Sequence, residues 1–205
     1  MKIIVHRGIT SNKIEENSYL AIKHALKEKN IEGVEFDIRI TKDNIIVLSH
    51  NSVLGTNYIE NMNYKDIIKE KYLSTLDKIL TINTDKILLI DIKTSNNNYK
   101  TLADILMKRL NKASQKIYLA SFNKKIIKYM KKKLKFKMGL ISFYYRKGNF
   151  DFYVINYRTI TDKKINKLKK EVFLWTVNKK NWQSVENKFS NLNKYYLIMD
   201  IKKDN

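Results

Sequence analysis

The chain contains neither cysteine nor proline. Without cysteine there is no disulfide framework and no thiolate metal site, so a bound metal would rest on nitrogen and oxygen ligands. The missing proline, against a typical share of ~5%, fits a sequence that uses Lys, Asn and Ile freely. No apolar run is long enough to span a membrane. Met1 leads straight into Ile3-Ile4-Val5, which leaves no room for a signal peptide. These features point to a cytoplasmic protein. Acidic residues are scarce in the second half. Residues 1–102 carry 15 Lys and Arg against 13 Asp and Glu, a net +2, whereas residues 103–205 carry 26 against 7, a net +19.

What is present fits one ordinary domain spanning 1–205. At 205 residues and 43% hydrophobic composition the chain can bury a full core and is not disordered. A basic half can face nucleic acid, anionic lipid or phosphorylated substrates. The run Lys124–Lys137 has eight lysines, no acid, and only Tyr129 and Phe136 as aromatics. Nucleic acid would call for more aromatic residues among the basic ones, so none is expected as a partner. A weak contact with an anionic membrane surface remains open.

Strand-like apolar runs alternate with amphipathic helical segments. The strands expected are Ile3–His6, one from Gly33 to the turn at Lys42-Asp43-Asn44, Ile87–Lys93, Ile117–Phe122, Met138–Ser142, Phe152–Ile155, Val172–Val177 and Tyr196–Met199. That turn joins the second to a short hairpin partner. Helices are expected before Gly33 and over Thr75–Ile82, Tyr99–Ala113, Lys124–Lys135, Asp162–Lys170 and Asn181–Leu192. Residues 51–74 are the least regular part, and Phe143–Asp151 is too short for a crossover helix. Repeated strand–helix units imply a parallel sheet. Eight of them predict an α/β fold, a compact TIM-type (β/α)₈ barrel with short loops.

Such barrels carry their active residues at the C-terminal ends of strands. His6 and Arg7 close the first strand, Glu35 and Asp37 the second, and Asp91 and Lys93 the third; Ser121, Trp175 and Asn178 close later ones. Glu35 and Asp37, two apart, project to one side. Adjacent carboxylates repel unless a cation sits between them or one keeps its proton, and a hard divalent cation prefers oxygen ligands. Of the three histidines, His24 lies within a helix, while His6 and His50 sit beside the acidic cluster. Histidine serves as general acid or base near neutrality. Arg7 and Lys93 can neutralise phosphate oxygens. The set points to phosphodiester chemistry.

The residues HRG (6–8), Glu16-Asn17-Ser18 with Ala21, GVEFDI (33–38), Thr41-Lys-Asp, Ile46-Val47 and His50 resemble the signature of the glycerophosphodiester phosphodiesterases. IDIK (90–93), SFN (121–123), WTVN (175–178) and Ile198-Met-Asp agree more loosely. The resemblance implies a metal-dependent (β/α)₈ barrel that hydrolyses a small glycerophosphodiester to an alcohol and glycerol 3-phosphate. It implies His6 and His50 as the acid–base pair, and Glu35, Asp37 and Asp91 as ligands of one divalent ion, Mg²⁺ or Ca²⁺. Arg7 and Lys93 would grip the phosphate, and Trp175 would wall the pocket. Glu16 and Asn17 are expected to shape the first loop.

The chain departs from the family at three places. Asp91 stands where Glu is usual, Asn51 follows His50 where Asp is usual, and the segment 51–74 is short. Two other readings stay open: cleavage of lysophospholipid-like diesters at a membrane, and a decayed barrel that only binds a phosphorylated ligand. Dependence of binding on anionic lipid separates the first, and absence of turnover the second.

Overall fold

Residues 2–95, 97–190 and 195–203 are described by the computed structural model. In chain order the elements are β1 (Ile3–Thr10), α1 (Tyr19–Lys27), β2 (Gly33–Ile40), β3 (Ile46–Leu48), β4 (Val53–Leu54), β5 (Asn57–Tyr58), α2 (Tyr64–Glu70), α3 (Leu76–Leu80) and β6 (Ile87–Ile92). Then follow α4 (Tyr99–Leu110), β7 (Lys116–Ser121), α5 (Lys124–Lys131), β8 (Lys137–Ser142), β9 (Phe152–Asn156), α6 (Asp162–Leu168), β10 (Glu171–Val177), α7 (Trp182–Phe189) and β11 (Tyr195–Lys202).

Eight of these strands run parallel in the order β1-β11-β10-β9-β8-β7-β6-β2, and pairing of β1 with β2 closes the ring. The fold is the (β/α)₈ barrel that the alternation predicts. Closure leaves none of the eight barrel strands as a free sheet edge. β3 pairs antiparallel with the end of β2, Ile38 opposite Leu48 and Ile40 opposite Ile46. This pairing extends β2 to Ile40, so Glu35 and Asp37 lie within the strand and not at its end. No helix separates β8 from β9, in keeping with the short link between them. The helices are shorter than their sequence patterns suggest: α5 stops at Lys131 and α7 at Phe189. Leu192, the expected end of α7, falls outside the described residues.

Side-chain alternation divides the core in two. One set of strand residues packs outward under the helices, where α4 contributes Leu102, Ala103, Leu106 and Leu110. The other set fills the barrel. Its floor is aromatic: Phe173 stacks on Tyr196 at 4.5 Å, and Phe152 and Tyr118 pack around Phe173 at 5.2 and 5.6 Å. Above it lie Leu89, Ile141, Val154 and Ile198, and the polar side chains stand on top. Interior positions of small barrels are filled in such layers.

Gly139 makes room for that floor. A Cβ there would meet the Phe152 ring at 2.3 Å. Gly139→Ala is therefore expected to destabilise the protein by roughly 1–3 kcal/mol through overpacking. The denaturant midpoint reads this at unchanged slope; an unaltered midpoint would mean that the Phe152 ring shifts freely.

Candidate active site

β1 runs on to Thr10, so His6 and Arg7 lie within it and do not close it; an irregularity in its register between Val5 and Ile9, with the loop that follows the strand, builds the first part of the site from unusual backbone. Arg7 and Asn17 have φ of 54° and 53°, and Gly8 between them has φ of 85°. Positive φ in a residue with a side chain costs energy and collects at functional sites. A Cβ on Gly8 would lie 2.5 Å from the Ala21 backbone, so the loop lies tight against α1. The Ser18 side chain caps that helix by accepting from the Ala21 N–H. The loop is drawn shut by the Asn17 N–H donating to the Arg7 carbonyl at 2.9 Å.

In this shape both Arg7 and Asn17 reach β2. The Asn17 amide donates to Asp37 Oδ2 at 2.9 Å, and the Asp37 N–H donates back to Asn17 Oδ1 at 2.9 Å. Arg7 Nε lies 3.1 Å from Asp37 Oδ2, and Arg7 Nη1 donates to Glu16 at 2.8 Å. Glu16 and Asn17 thus hold the loop, as the sequence suggests. Asn17 also holds a carboxylate of the site directly.

Glu35 and Asp37 point into the barrel from β2. The β2–β6 register sets Asp91 opposite Asp37. All three are buried, and each offers an oxygen within 4.8 Å of the others. Three carboxylates so close cannot all ionise without a counter-charge. Burial and the neighbouring Asp37 push the Glu35 carboxyl up to about 8. Burial raises Asp91 to about 6, although Lys93 pulls the other way. Asp37 stays below its ordinary value: burial opposes this, but Lys93 and Arg7 outweigh it. Lys93 Nζ lies 2.6 Å from Asp91 Oδ2 and 3.0 Å from Asp37 Oδ1. Asp91 Oδ1 is buried with no partner. An all-oxygen donor set with one unsatisfied carboxylate oxygen fits a hard divalent cation.

The two histidines face different partners. His6 Nδ1 lies 2.6 Å from Asp200 Oδ1, and its Nε2 lies 3.8 Å from Glu35 Oε2. Burial alone would lower its pKa, but the bond to Asp200 and the charge of Glu35 raise it overall. His50 Nδ1 lies 3.2 Å from the Asn51 amide oxygen. Burial lowers the His50 pKa, and the Asn51 contact only partly offsets that. Asn51 thus meets the ring with a neutral acceptor where an Asp would place a charge. The His50 carbonyl accepts from Arg39 Nε and Nη2 at 3.2 and 2.7 Å.

All eight side chains assigned to the site from the sequence line one pocket of about 280 Å³. Trp175 forms its wall, packed against Phe143 and Phe122 with ring centroids at 5.2 and 6.2 Å. The Trp175 indole N–H is buried without a partner. Ser121 and Asn178 do not enter the pocket. Ser121 Oγ donates to the Ile92 carbonyl and ties β7 to β6. The Asn178 N–H donates to Asn181 Oδ1 at the start of α7. Asp200, in the sequence only the end of Ile198-Met-Asp, and Arg39, to which the sequence gives no role, both stand at the site. Each continues an inward-facing alternation: Tyr196, Ile198, Asp200 on β11 and Glu35, Asp37, Arg39 on β2. That period was the available signal.

The sequence model of the glycerophosphoryl diester phosphodiesterase family matches residues 6–152, well over half of the chain. This chain belongs to that family. As a member it is an enzyme, a phosphoric diester hydrolase. The chain is 26% identical over 211 residues to a glycerophosphodiester phosphodiesterase of Caldanaerobacter subterraneus subsp. tengcongensis, with 87% of this chain and 86% of that protein covered. Solved structures share the fold. A phosphodiesterase of Oleispira antarctica, in complex with its product sn-glycerol-3-phosphate, superposes with a TM-score of 0.84 at 16% identity, over 98% of this chain and 93% of that one. A glycerophosphodiester phosphodiesterase of Thermotoga maritima gives 0.75 at 20% identity, over 98% and 95%. Among the described residues no helix is long and apolar enough to cross a membrane.

Proposed function

We propose that this family member hydrolyses glycerophosphodiesters to an alcohol and glycerol 3-phosphate, using one divalent ion, Mg²⁺ or Ca²⁺, and histidine acid–base catalysis. The observation that carries the reading is the meeting of His6, His50, Arg7, Lys93 and the three carboxylates in one pocket. Glu35, Asp37 and Asp91 would hold the ion. When bound, it would polarise the phosphoryl group and stabilise charge on an attacking oxygen.

The protein's own residues supply the remainder. Arg7 and Lys93 present fixed positive charge to the phosphate oxygens. His6 is held at Nδ1 by a carboxylate, which favours the imidazolium. Its Nε2 proton is the one given to the leaving alkoxide. His50 is held at Nδ1 by a neutral amide oxygen, which leaves an Nε2 lone pair to take the proton of the attacking oxygen. Neighbours that favour opposite protonation states fit opposite roles. Trp175 closes the apolar side of the pocket against water.

The test is turnover of glycerophosphocholine after exhaustive chelation, then after return of Mg²⁺ or Ca²⁺. Activity is expected to vanish and to be restored by one of the two ions. Full activity in the chelated protein would exclude the metal-dependent scheme.

One observation favours a second reading, in which the enzyme also takes lipid-borne diesters at an anionic surface. Phe122 and Phe143 line the pocket and are exposed, as is Tyr144 beside them. The basic helix α5 adjoins them. Part of the charge of the basic run 124–137, which α5 begins, is already spoken for, since Lys131, Lys133 and Lys137 lie within 4.0 Å of Asp151, Asp104 and Glu171. Replacing Lys128, Lys132 and Lys135 with Gln is expected to weaken sedimentation with phosphatidylglycerol vesicles and to spare turnover of a soluble substrate. Undiminished sedimentation would remove the basic helix from any membrane role.

A further inference from the structure

A second cavity, of about 660 Å³, opens beside the catalytic pocket. The two share Lys93, Phe122, Ile141 and Phe143. This cavity is lined by Arg39, Lys124, Lys125 and Arg146 as well as Lys93, and no Asp or Glu contributes to its wall. Among the described residues none of Arg39, Lys124, Lys125 and Arg146 has a carboxylate within 4.0 Å. Arg39 is held in place by its two bonds to the His50 carbonyl. Like charges gathered around one void repel, and an anion between them relieves the repulsion.

Two further features sit in the same wall. Helix α5 begins there, with its cap Asn123 and its first residues Lys124 and Lys125 facing the cavity. A helix N-terminus favours negative charge. Independently, Ser142 at the end of β8 lines the cavity, is only 6% exposed, and has an Oγ with no hydrogen-bond partner. A buried hydroxyl without a partner calls for one. Arginine, lysine, hydroxyl and helix N-terminus together are the groups that recognise a phosphate or carboxylate.

The catalytic pocket is small and walled by Trp175, Val154 and Ile198 on its apolar side. A diester held by Arg7 and Lys93 would reach the second cavity past Lys93. We propose that this cavity binds the alcohol half of the substrate and selects alcohols that carry a second anionic group. The preferred substrates would then be glycerophosphodiesters of phosphorylated or carboxylated alcohols, in preference to those of choline or ethanolamine. The proposal rests on the phosphodiesterase reading above.

The test compares glycerophosphoinositol with glycerophosphoinositol 4-phosphate, which differ by one phosphate on the leaving alcohol. The wild-type enzyme is expected to favour the 4-phosphate by about tenfold or more in kcat/KM, the scale of one or two charge-assisted hydrogen bonds. The triple variant Lys124→Gln, Lys125→Gln, Arg146→Gln is expected to lose that preference, its kcat/KM falling much further on the 4-phosphate than on glycerophosphoinositol. A control replaces Lys27, Lys108 and Lys112 with Gln. Lys27 and Lys108 lie in the last turns of α1 and α4, and Lys112 follows α4, all toward the far end of the barrel. If the control loses the preference equally, the effect is general steering by net charge and the subsite is refuted; so too if the wild type shows no preference.

Calorimetric binding of inositol 4-phosphate against inositol separates this proposal from the reading it rests on. Should no glycerophosphodiester be turned over, the proposed reaction fails. The cavity then still stands as an anion site if inositol 4-phosphate binds the wild type and not the triple variant, and falls if it binds neither or both alike.

Discussion

Replacing His6 with alanine is expected to lower turnover by roughly 10²–10⁴-fold, the range for a positioned acid–base group, and to leave the fold intact. The side chain contributes little to the core: it stands above the apolar filling of the barrel and bonds to the exposed Asp200. The loss should therefore appear in kcat with little change in thermal midpoint. Asp200→Asn is expected to lower kcat by a smaller factor. The amide still reaches Nδ1 but no longer favours the imidazolium. Its signature is a pH–rate profile whose His6 limb moves to lower pH, because a negative partner that raised the His6 pKa is gone. Wild-type kcat in His6→Ala would remove His6 from the chemistry. An unmoved profile in Asp200→Asn would assign the limb to another group.

The second large effect concerns stability. Lys93 Nζ lies between Asp37 and Asp91 in a pocket where neither carboxylate meets bulk water. Removing one partner of a buried ion pair leaves uncompensated charge and typically costs about 3–5 kcal/mol. For a chain of this size that corresponds to a fall in Tm on the order of 10 °C. Lys93→Met, of similar length and uncharged, is expected to show this loss when divalent ions are absent. Adding Mg²⁺ or Ca²⁺ should recover part of it, because a ligand that binds only the folded state stabilises that state. An unchanged Tm in the chelated variant would mean that Lys93 is not the counter-charge of the cluster.

Much of this site was legible in the sequence because its parts are local. Gly33–His50 brings Glu35, Asp37 and His50 onto one strand pair, and the period of two places the carboxylates on one side. The alternation of strands and helices gave the barrel, and the barrel then sorted Asp91 and Lys93 to the same end. The less legible parts depend on closure. Asp200 meets His6 across 194 residues only because β11 pairs with β1, and no local pattern reports that pairing. Arg39 lies on the strand expected before the turn at Lys42-Asp43-Asn44, but its bonds to the His50 carbonyl depend on the pairing of β3 with β2. Helices α5 and α7 end early because an apolar period constrains a helix face but not its last turn. The shorter Asp91 joins the cluster through register: β6 sets it level with Asp37, with an oxygen within 4.8 Å of Glu35 and Asp37.

The most direct test of the account is the identity of the product. Phosphorus NMR of a glycerophosphocholine digest, run in ¹⁸O-labelled water, distinguishes the two bonds that can break. Free choline and glycerol 3-phosphate carrying the label on phosphorus are expected, formed only with a divalent ion present. Phosphocholine with free glycerol, or the same glycerol 3-phosphate formed equally well in the chelated enzyme, would contradict it.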